Sequence, residues 1–304
     1  MTDAPRRILA TADLHWGLYD EGDDCTRRLA QFAAESGADA LIIAGDVADS
    51  TDDGFVECLS QFEAFDGPRM LVPGNHDVWA PDGPPEGVDG SGSMAKYQRA
   101  LPAQAQHAGF HMLDGHPLRL GPVAFVGTMG WYDYSLRNPA LDVTPEQYES
   151  KELPGICTWN DVRYVDWAPS DGEFTEGRLR QLKADCLAVA DGAQQIVAVM
   201  HHLPLRELMY GPMSRAFEFT RAYMGSQRFG RLLQHCPGVR HVLCGHRHSP
   251  ARARVGNLDA VCVGSRYRMK RLIDLDLETD NHRVHTFTAP DERGEPHHQL
   301  GEVA

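Results

Sequence analysis

Five short apolar runs in this sequence each end, with little or no spacer, in side chains able to hold a metal ion. Ile8-Leu9-Ala10 leads to Asp13-Leu14-His15, and Ala40-Leu41-Ile42-Ile43-Ala44 to Gly45-Asp46. Met70-Leu71-Val72 passes through Pro73 into Gly74-Asn75-His76-Asp77. A run ending at Met200 delivers His201-His202, and one ending at Cys244 delivers Gly245-His246-Arg247-His248. A short apolar run bounded by Gly or Pro reads as a buried strand closing in a tight turn. Packing gives no reason for five such turns to carry His, Asp and Asn together. The chain is therefore expected to fold so that separate strand tips meet.

The intervening segments fit that expectation. Residues 25–36 place Leu29, Phe32 and Ala33 on one helical face, and Phe55, Leu59 and Phe62 mark a second helix. Strand, helix, strand, helix, strand with continuously apolar strands predicts parallel pairing buried on both faces. Helices are also predicted over 95–109, 177–190 and much of 217–235. Two strands are predicted within 111–128, turning near Leu120-Gly121-Pro122. Alternating runs at 260–263, 272–277 and 283–288 predict an antiparallel meander. The expected organisation is α/β, with two packed sheets and outer helices in one domain over residues 1–290, and a loose polar tail at 291–304. Residues 80–93, rich in Gly, Pro, Asp and Ser, predict a mobile loop. Residues 131–176 hold Trp131, Tyr132, Tyr134, Tyr148, Trp159, Tyr164 and Trp167 with weak periodicity, and read as an insertion or lid.

Charge and cysteine usage narrow the function classes. The formal net charge of -14 repels phosphate backbones, so general nucleic-acid binding is disfavoured. The cations Arg266, Arg268, Lys270 and Arg271 form only a short group and read as solvated. Seven cysteines, an odd number with no Cys-x-x-Cys, suit a reducing compartment. Residues 1–8 contain no apolar leader core, and no apolar stretch is long enough to cross a bilayer. A soluble cytoplasmic protein without a membrane partner is the expectation.

The residue types at the tips suit metal-assisted chemistry. Mixed imidazole and carboxylate ligands favour hard-to-borderline divalent ions. Asp13 and His15 are two apart, so both can turn to one side of an extended strand end, and His246 and His248 share that spacing. Gly45 lets the backbone approach closely beside Asp46. Asn75 adds an amide oxygen and His201 another imidazole.

In this order, Asp13-x-His15, Gly45-Asp46, Gly74-Asn75-His76-Asp77, His201 and Gly245-His246-x-His248 resemble the full signature of the calcineurin-like metallophosphoesterase superfamily. The resemblance spans Asp13 to His248. It implies a four-layer sandwich of two mixed β-sheets flanked by helices, with a dinuclear metal site at the strand C-terminal ends. It also implies that Asp13, His15, Asp46 and His248 hold one metal, and that Asp46, Asn75, His201 and His246 hold the other, with Asp46 bridging. His201 rather than His202 takes the ligand role because the family places the ligand at the strand's end. Two divalent ions are implied, manganese first, with iron, zinc, nickel and cobalt as alternatives. His76 is implied as the catalytic histidine and Asp77 as its orienting partner.

The implied activity is hydrolysis of a small phosphodiester or phosphomonoester by attack of a metal-bound hydroxide, with His76 as general acid. A DNA or RNA nuclease of the same superfamily is the alternative, and a non-catalytic scaffold with this fold the second. The turn Gly45-Asp46-Val47-Ala48-Asp49-Ser50 lacks the Arg of the protein phosphatases, and Asp49 stands where purple acid phosphatases carry Tyr. Asp49 instead reads as a cap on the following helix. His202 and Trp131 are the expected substrate contacts, His202 for phosphate and Trp131 for a flat group.

Overall fold

The computed structural model describes residues 4–49, 52–81, 92–209, 211, 213–289 and 297–301. The strands in chain order begin with β1 (Arg7–Thr11), β2 (Ala40–Ala44), β3 (Arg69–Val72), β4 (His111–Met112) and β5 (Leu118–Leu120). Next come β6 (Val123–Thr128), β7 (Glu152–Leu153), β8 (Cys157–Thr158), β9 (Gln195–Met200) and β10 (Val239–Cys244). The last five are β11 (Ala251–Val255), β12 (Leu258–Cys262), β13 (Met269–Asp276), β14 (Asn281–Thr288) and β15 (His297–Gly301).

Two mixed sheets face one another. The first runs β15-β14-β13-β1-β2-β3-β4 and the second β11-β12-β10-β9-β6-β5. Strands β1 to β4 are parallel, as are β6, β9, β10 and β12. A parallel strand must be covered on both faces, which is why these runs are apolar throughout. Ile8, Ala10, Ile42 and Val72 of the first sheet meet Phe125, Val197, Val199 and Leu243 of the second in a dry middle layer. Helix Asp20–Glu35 turns Cys25, Leu29 and Ala33 onto the outer face of the first sheet, joined by Phe55 and Leu59 of helix Asp52–Ser60. Leu179, Leu182 and Cys186 of helix Asp171–Ala190 and Phe229 and Leu233 of helix Gln227–His235 cover the second. The predicted α/β sandwich is what the chain forms.

Several boundaries differ from the sequence reading for local reasons. The helix predicted from 177 starts at Asp171, because Ser170 accepts the backbone N–H of Glu173 at 3.3 Å and Glu173 bonds back to Ser170. The stretch 111–128 holds three strands rather than two. The expected loose tail contains strand β15, which pairs with β14 and stacks His298 on Phe287 with ring centroids 4.7 Å apart. Residues 82–91 of the predicted mobile loop lie outside the described residues. Among the described residues no helix is long and apolar enough to cross a membrane.

Candidate metal centre and active site

The tips of β1, β2, β3, β9 and β10 converge at one edge of the sandwich. Backbone bonds continue past the strand ends and hold the tips in register: Asp13 N–H to Gly45 O and His15 N–H to Asp46 O, both 3.0 Å, and Gly245 N–H to His201 O, 3.1 Å. Two glycines make the approach possible. A Cβ on Gly45 would lie 2.5 Å from His201 Nδ1, and one on Gly74 would lie 2.1 Å from Asp46 Oδ1. Asp13, His15, Asp46, His246 and His248 all have left-handed backbone, with φ between 45° and 69°. That conformation costs roughly 1–2 kcal/mol per residue, and clustered strain of this kind marks functional sites.

Four side chains, Asp13, His15, Asp46 and His248, bring one potential ligand atom each within 4.8 Å of one another, and Asp46, His201 and His246 do the same. Asp46 belongs to both groups. Asn75 Oδ1 joins the second, 3.1 Å from His201 Nε2. All seven residues implied by the resemblance are therefore together.

Neighbouring groups fix which atoms face inward. His201 Nδ1–H donates to Ala44 O at 2.9 Å, leaving its Nε2 lone pair toward the centre. His246 Nε2–H donates to Tyr223 O at 3.3 Å, which turns the Nδ1 lone pair inward, 3.1 Å from His201 Nε2. Asn75 Nδ2 donates to Asp161 Oδ1 at 3.0 Å, so its oxygen faces the cluster. Asp46 Oδ2 stands 3.3 Å from His201 Nε2, His15 Nε2 stands 3.2 Å from His248 Nε2, and Asp46 Oδ2 and Asp13 Oδ2 are buried with no hydrogen-bond partner among the described residues. Buried acceptors pointed at one another call for positive charge between them. The same acidic surroundings act on a proton as on a cation at Nε2: burial alone would lower the His201 pKa, yet Asp46 and then Asp13 outweigh it and raise it to about 9. The carboxylate, imidazole and amide set fits a pair of divalent cations.

His76 stands beside this cluster, its ring 4.5 Å from that of His15. Its Nδ1–H donates to Asp49 Oδ1 at 2.8 Å, so Nε2 is left for the cavity above. Trp79 stacks on it at 3.6 Å. Asp77 is not its partner, which corrects the sequence reading. Asp77 Oδ1 accepts the backbone N–H groups of Val47 (2.9 Å) and Ala48 (3.1 Å), and Oδ2 accepts that of Gly74 (2.8 Å). It ties the β2 and β3 tips together, and Asp49, read as a helix cap, orients His76 instead.

The cavity over the cluster, about 500 Å³, is lined by Asp46, Asn75, His76, His246 and His248 below and by Trp159, Met209, Phe217, Met224 and Tyr267 around it. Neither of the expected substrate contacts lines it. Trp131 is fully buried, with Nε1–H on Asp171 Oδ1 at 2.8 Å. His202 is fully buried under His246, and burial and then His201 push its pKa down to about 3. His202 belongs to the packing beneath the site, and Trp131 borders a separate cavity with Tyr134, Lys151 and Asp171.

Sequence reasoning missed two residues that organise the centre. Asp161, inside the aromatic segment, accepts from Asn75 Nδ2, Trp79 Nε1, Tyr132 OH and Trp159 Nε1 at 2.7–3.0 Å. Lys270, read as solvated, is fully buried and donates to the carbonyls of Asp13, Arg266 and Tyr267 at 3.1–3.2 Å. Burial lowers its pKa to about 8 against the pull of Asp13. No local pattern flags either residue: Asp161 shares its aromatic segment with Asp166, and Lys270 sits in a run of cations.

The sequence profile of the calcineurin-like phosphoesterases matches residues 6–250, a stretch that contains every residue of the cluster. The chain belongs to that family. Solved structures with the same fold include three that overlay most of this calcineurin-like phosphoesterase. The phosphopantetheinyl hydrolase of Mycobacterium tuberculosis matches with a TM-score of 0.65 at 19% identity, covering 86% of this chain and 89% of that one. The protein TT1561 of Thermus thermophilus gives 0.57 at 15% identity over 99% of this chain and 100% of its own. A Danio rerio dimetal phosphatase gives 0.55 at 12% identity over 99% and 100%. No curated protein matches the sequence.

Proposed function

We propose that this calcineurin-like phosphoesterase is a dinuclear-metal hydrolase of a small phosphodiester or phosphomonoester. The observation that carries this is Asp46: one buried carboxylate shared by two groups of ligand-type atoms, drawn from both sheets. Asp13, His15, Asp46 and His248 would hold one ion, and Asp46, Asn75, His201 and His246 the other. When bound, such a pair supplies an acidified water and charge compensation for the phosphoryl oxygens. Manganese is the first candidate.

The chain's own groups do the rest. The cavity admits the ester with phosphorus over the cluster and the departing oxygen toward His76. As the P–O bond to the alcohol breaks, His76 Nε2 gives its proton to that oxygen. Asp49, on Nδ1–H, keeps the ring in place and favours its protonated form: burial opposes protonation, but Asp46 and Asp49 outweigh it and raise the His76 pKa. Lys270 and Asp77 hold the strained loops that carry the ligands. The shared fold of the mycobacterial phosphopantetheinyl hydrolase and the zebrafish dimetal phosphatase is in keeping with a phosphoric ester substrate. A cytoplasmic location belongs to the same proposal, resting on seven cysteines, six of them buried.

The test is hydrolysis of bis(p-nitrophenyl) phosphate by protein loaded in turn with manganese, iron, zinc, nickel and cobalt, with bound metal counted by elemental analysis. Turnover that needs metal, with two ions per chain, and that falls in His76→Ala and Asn75→Ala is the expected result. Full activity in both variants, or none with any metal, would reject the proposal.

A further inference from the structure

We propose that the cavity selects phosphate esters whose alcohol portion is apolar, an alkyl or aryl body, over esters of sugars and nucleosides. This deepens the phosphoesterase reading of the same site and rests on it.

The floor and the wall of the cavity differ in chemistry. The floor is the cluster of acidic and imidazole groups already described. The apolar part of the wall is Trp159, Met209, Phe217, Met224 and Tyr267. Trp159 is a fixed surface: its Nε1–H is held by Asp161 Oδ2 at 2.7 Å, and its ring stacks on Tyr223 at 5.4 Å and 14°. It stands edge-on to His246, whereas Tyr267 stands edge-on to His15 and His248. An aromatic ring thus flanks each half of the cluster. Phe217 and Tyr267 are 50% and 39% exposed, large rings in contact with solvent beside a reaction centre.

The wall has few acceptors with which to read hydroxyl or base N–H groups. Among the described lining residues above the floor, the only hydroxyl besides the Tyr267 phenol is Thr220, and it donates to Phe217 O at 3.0 Å. The remaining polar wall groups are the guanidiniums of Arg221, Arg247 and Arg266, which donate and cannot accept. Arg221 is paired with Glu218, and Arg247 with Pro250 O. A ribose or base here would meet donors in the guanidiniums but, Thr220 and the Tyr267 phenol apart, no acceptor side chain on the described wall for its own O–H and N–H groups, and such unpaired donors are costly. An alkyl or aryl body would gain from contact with the wall, and the two methionines adapt to its shape.

The experiment uses the metal-loaded full chain and alkyl p-nitrophenyl phosphates with methyl, butyl and octyl groups, alongside thymidine 5′-(p-nitrophenyl phosphate). The kcat/KM is expected to rise by up to roughly fourfold per buried methylene, giving at least a tenfold gain from methyl to butyl. The thymidine ester should fall below the butyl ester. Calorimetric Kd values for methyl-, butyl- and octylphosphonate should follow the same order, and Phe217→Ser and Tyr267→Ser should each flatten the octyl-to-methyl ratio. Turnover with a flat series, or preference for the thymidine ester, would overturn this inference and leave the phosphoesterase reading standing. If no ester turns over, that reading falls, and the phosphonate affinities then decide the cavity's preference separately.

Discussion

Asp161 accepts the side-chain N–H of Asn75 at 3.0 Å, so the aromatic segment reaches into the cluster and sets the orientation of one of its donors. The same carboxylate takes Trp79, Tyr132 and Trp159, tying the residue stacked on His76 and the cavity wall to one anchor. An amide oxygen cannot accept from all four donors, and its NH2 would oppose one of them. Asp161→Asn is expected to weaken metal binding and lower kcat/KM by about 10–100-fold, as loss of a group supporting a ligand does elsewhere. Metal titration separates this from simple destabilisation, which would lower Tm with unchanged metal affinity.

The His76–Asp49 pair predicts a dependence on leaving group. His76→Ala should cost about 10²–10⁴ in kcat if the ring donates the departing proton. Asp49→Asn should act in the same direction and less strongly. The loss should be larger for alkyl leaving groups than for p-nitrophenolate, a weaker base that depends less on the proton. Steady-state rates across leaving groups of rising pKa check this; an equal loss for all would assign His76 a different role.

Asp77 predicts a change in stability. Removing its carboxylate leaves the N–H groups of Val47, Ala48 and Gly74 without acceptors in a buried turn. Each orphaned donor costs about 1–3 kcal/mol. Asp77→Ala should therefore lower the unfolding free energy by several kcal/mol in urea titrations, and Asp77→Asn by less, since one amide oxygen can still accept.

Acid sensitivity should arise in part far from the centre. His282 is 6% exposed and lies with His241 and Asp259 at the N-terminal ends of β10 and β12. Burial and then Arg252 lower its pKa to about 4, with Asp259 opposing and His241 assisting. Burial also lowers that of His241, against Asp280. Between pH 4 and about 6.5 the unfolded chain therefore binds more protons at these positions, so stability rises with pH and is lost as pH falls through that window. The slope is on the order of 1 kcal/mol per pH unit for each group. His282→Gln should reduce the slope, measured as unfolding free energy across the same acid range; an unchanged slope would exclude His282 as a contributor.

Chelation should destabilise as well as inactivate. Ions that bind only the folded state stabilise it by RT ln(1 + [L]/Kd), roughly 2.7 kcal/mol for each site at a hundredfold excess over Kd. Tm should rise with metal concentration in wild type and rise less in Asp46→Asn, which both groups of ligand atoms share.

The sequence by itself determined most of the strands, the parallel pairing of β1, β2 and β3 and the donors at the strand ends, but not that β12 leaves the expected meander to pair parallel with β10 in the second sheet. Those features are local: apolar runs fix the buried strands, Gly and Pro fix the stops, and the residues past each stop are carried wherever the strand ends. Asp13, His15, Asp46, Asn75, His201, His246 and His248 were legible for that reason. Tertiary structure alone decided what each tip touches from the side. Whether Asp49 or Asp77 would meet His76 depended on how the β2 and β3 turns fold over one another, with two carboxylates of the same type within reach. Trp131 and His202 looked like wall residues because they follow strand ends, but His202 is packed beneath His246 and Trp131 borders a different cavity. Trp159, Asp161 and Lys270 come from segments without a telling periodicity, so only packing could show that one lines the cavity, one orients Asn75 and one holds the loop at Asp13.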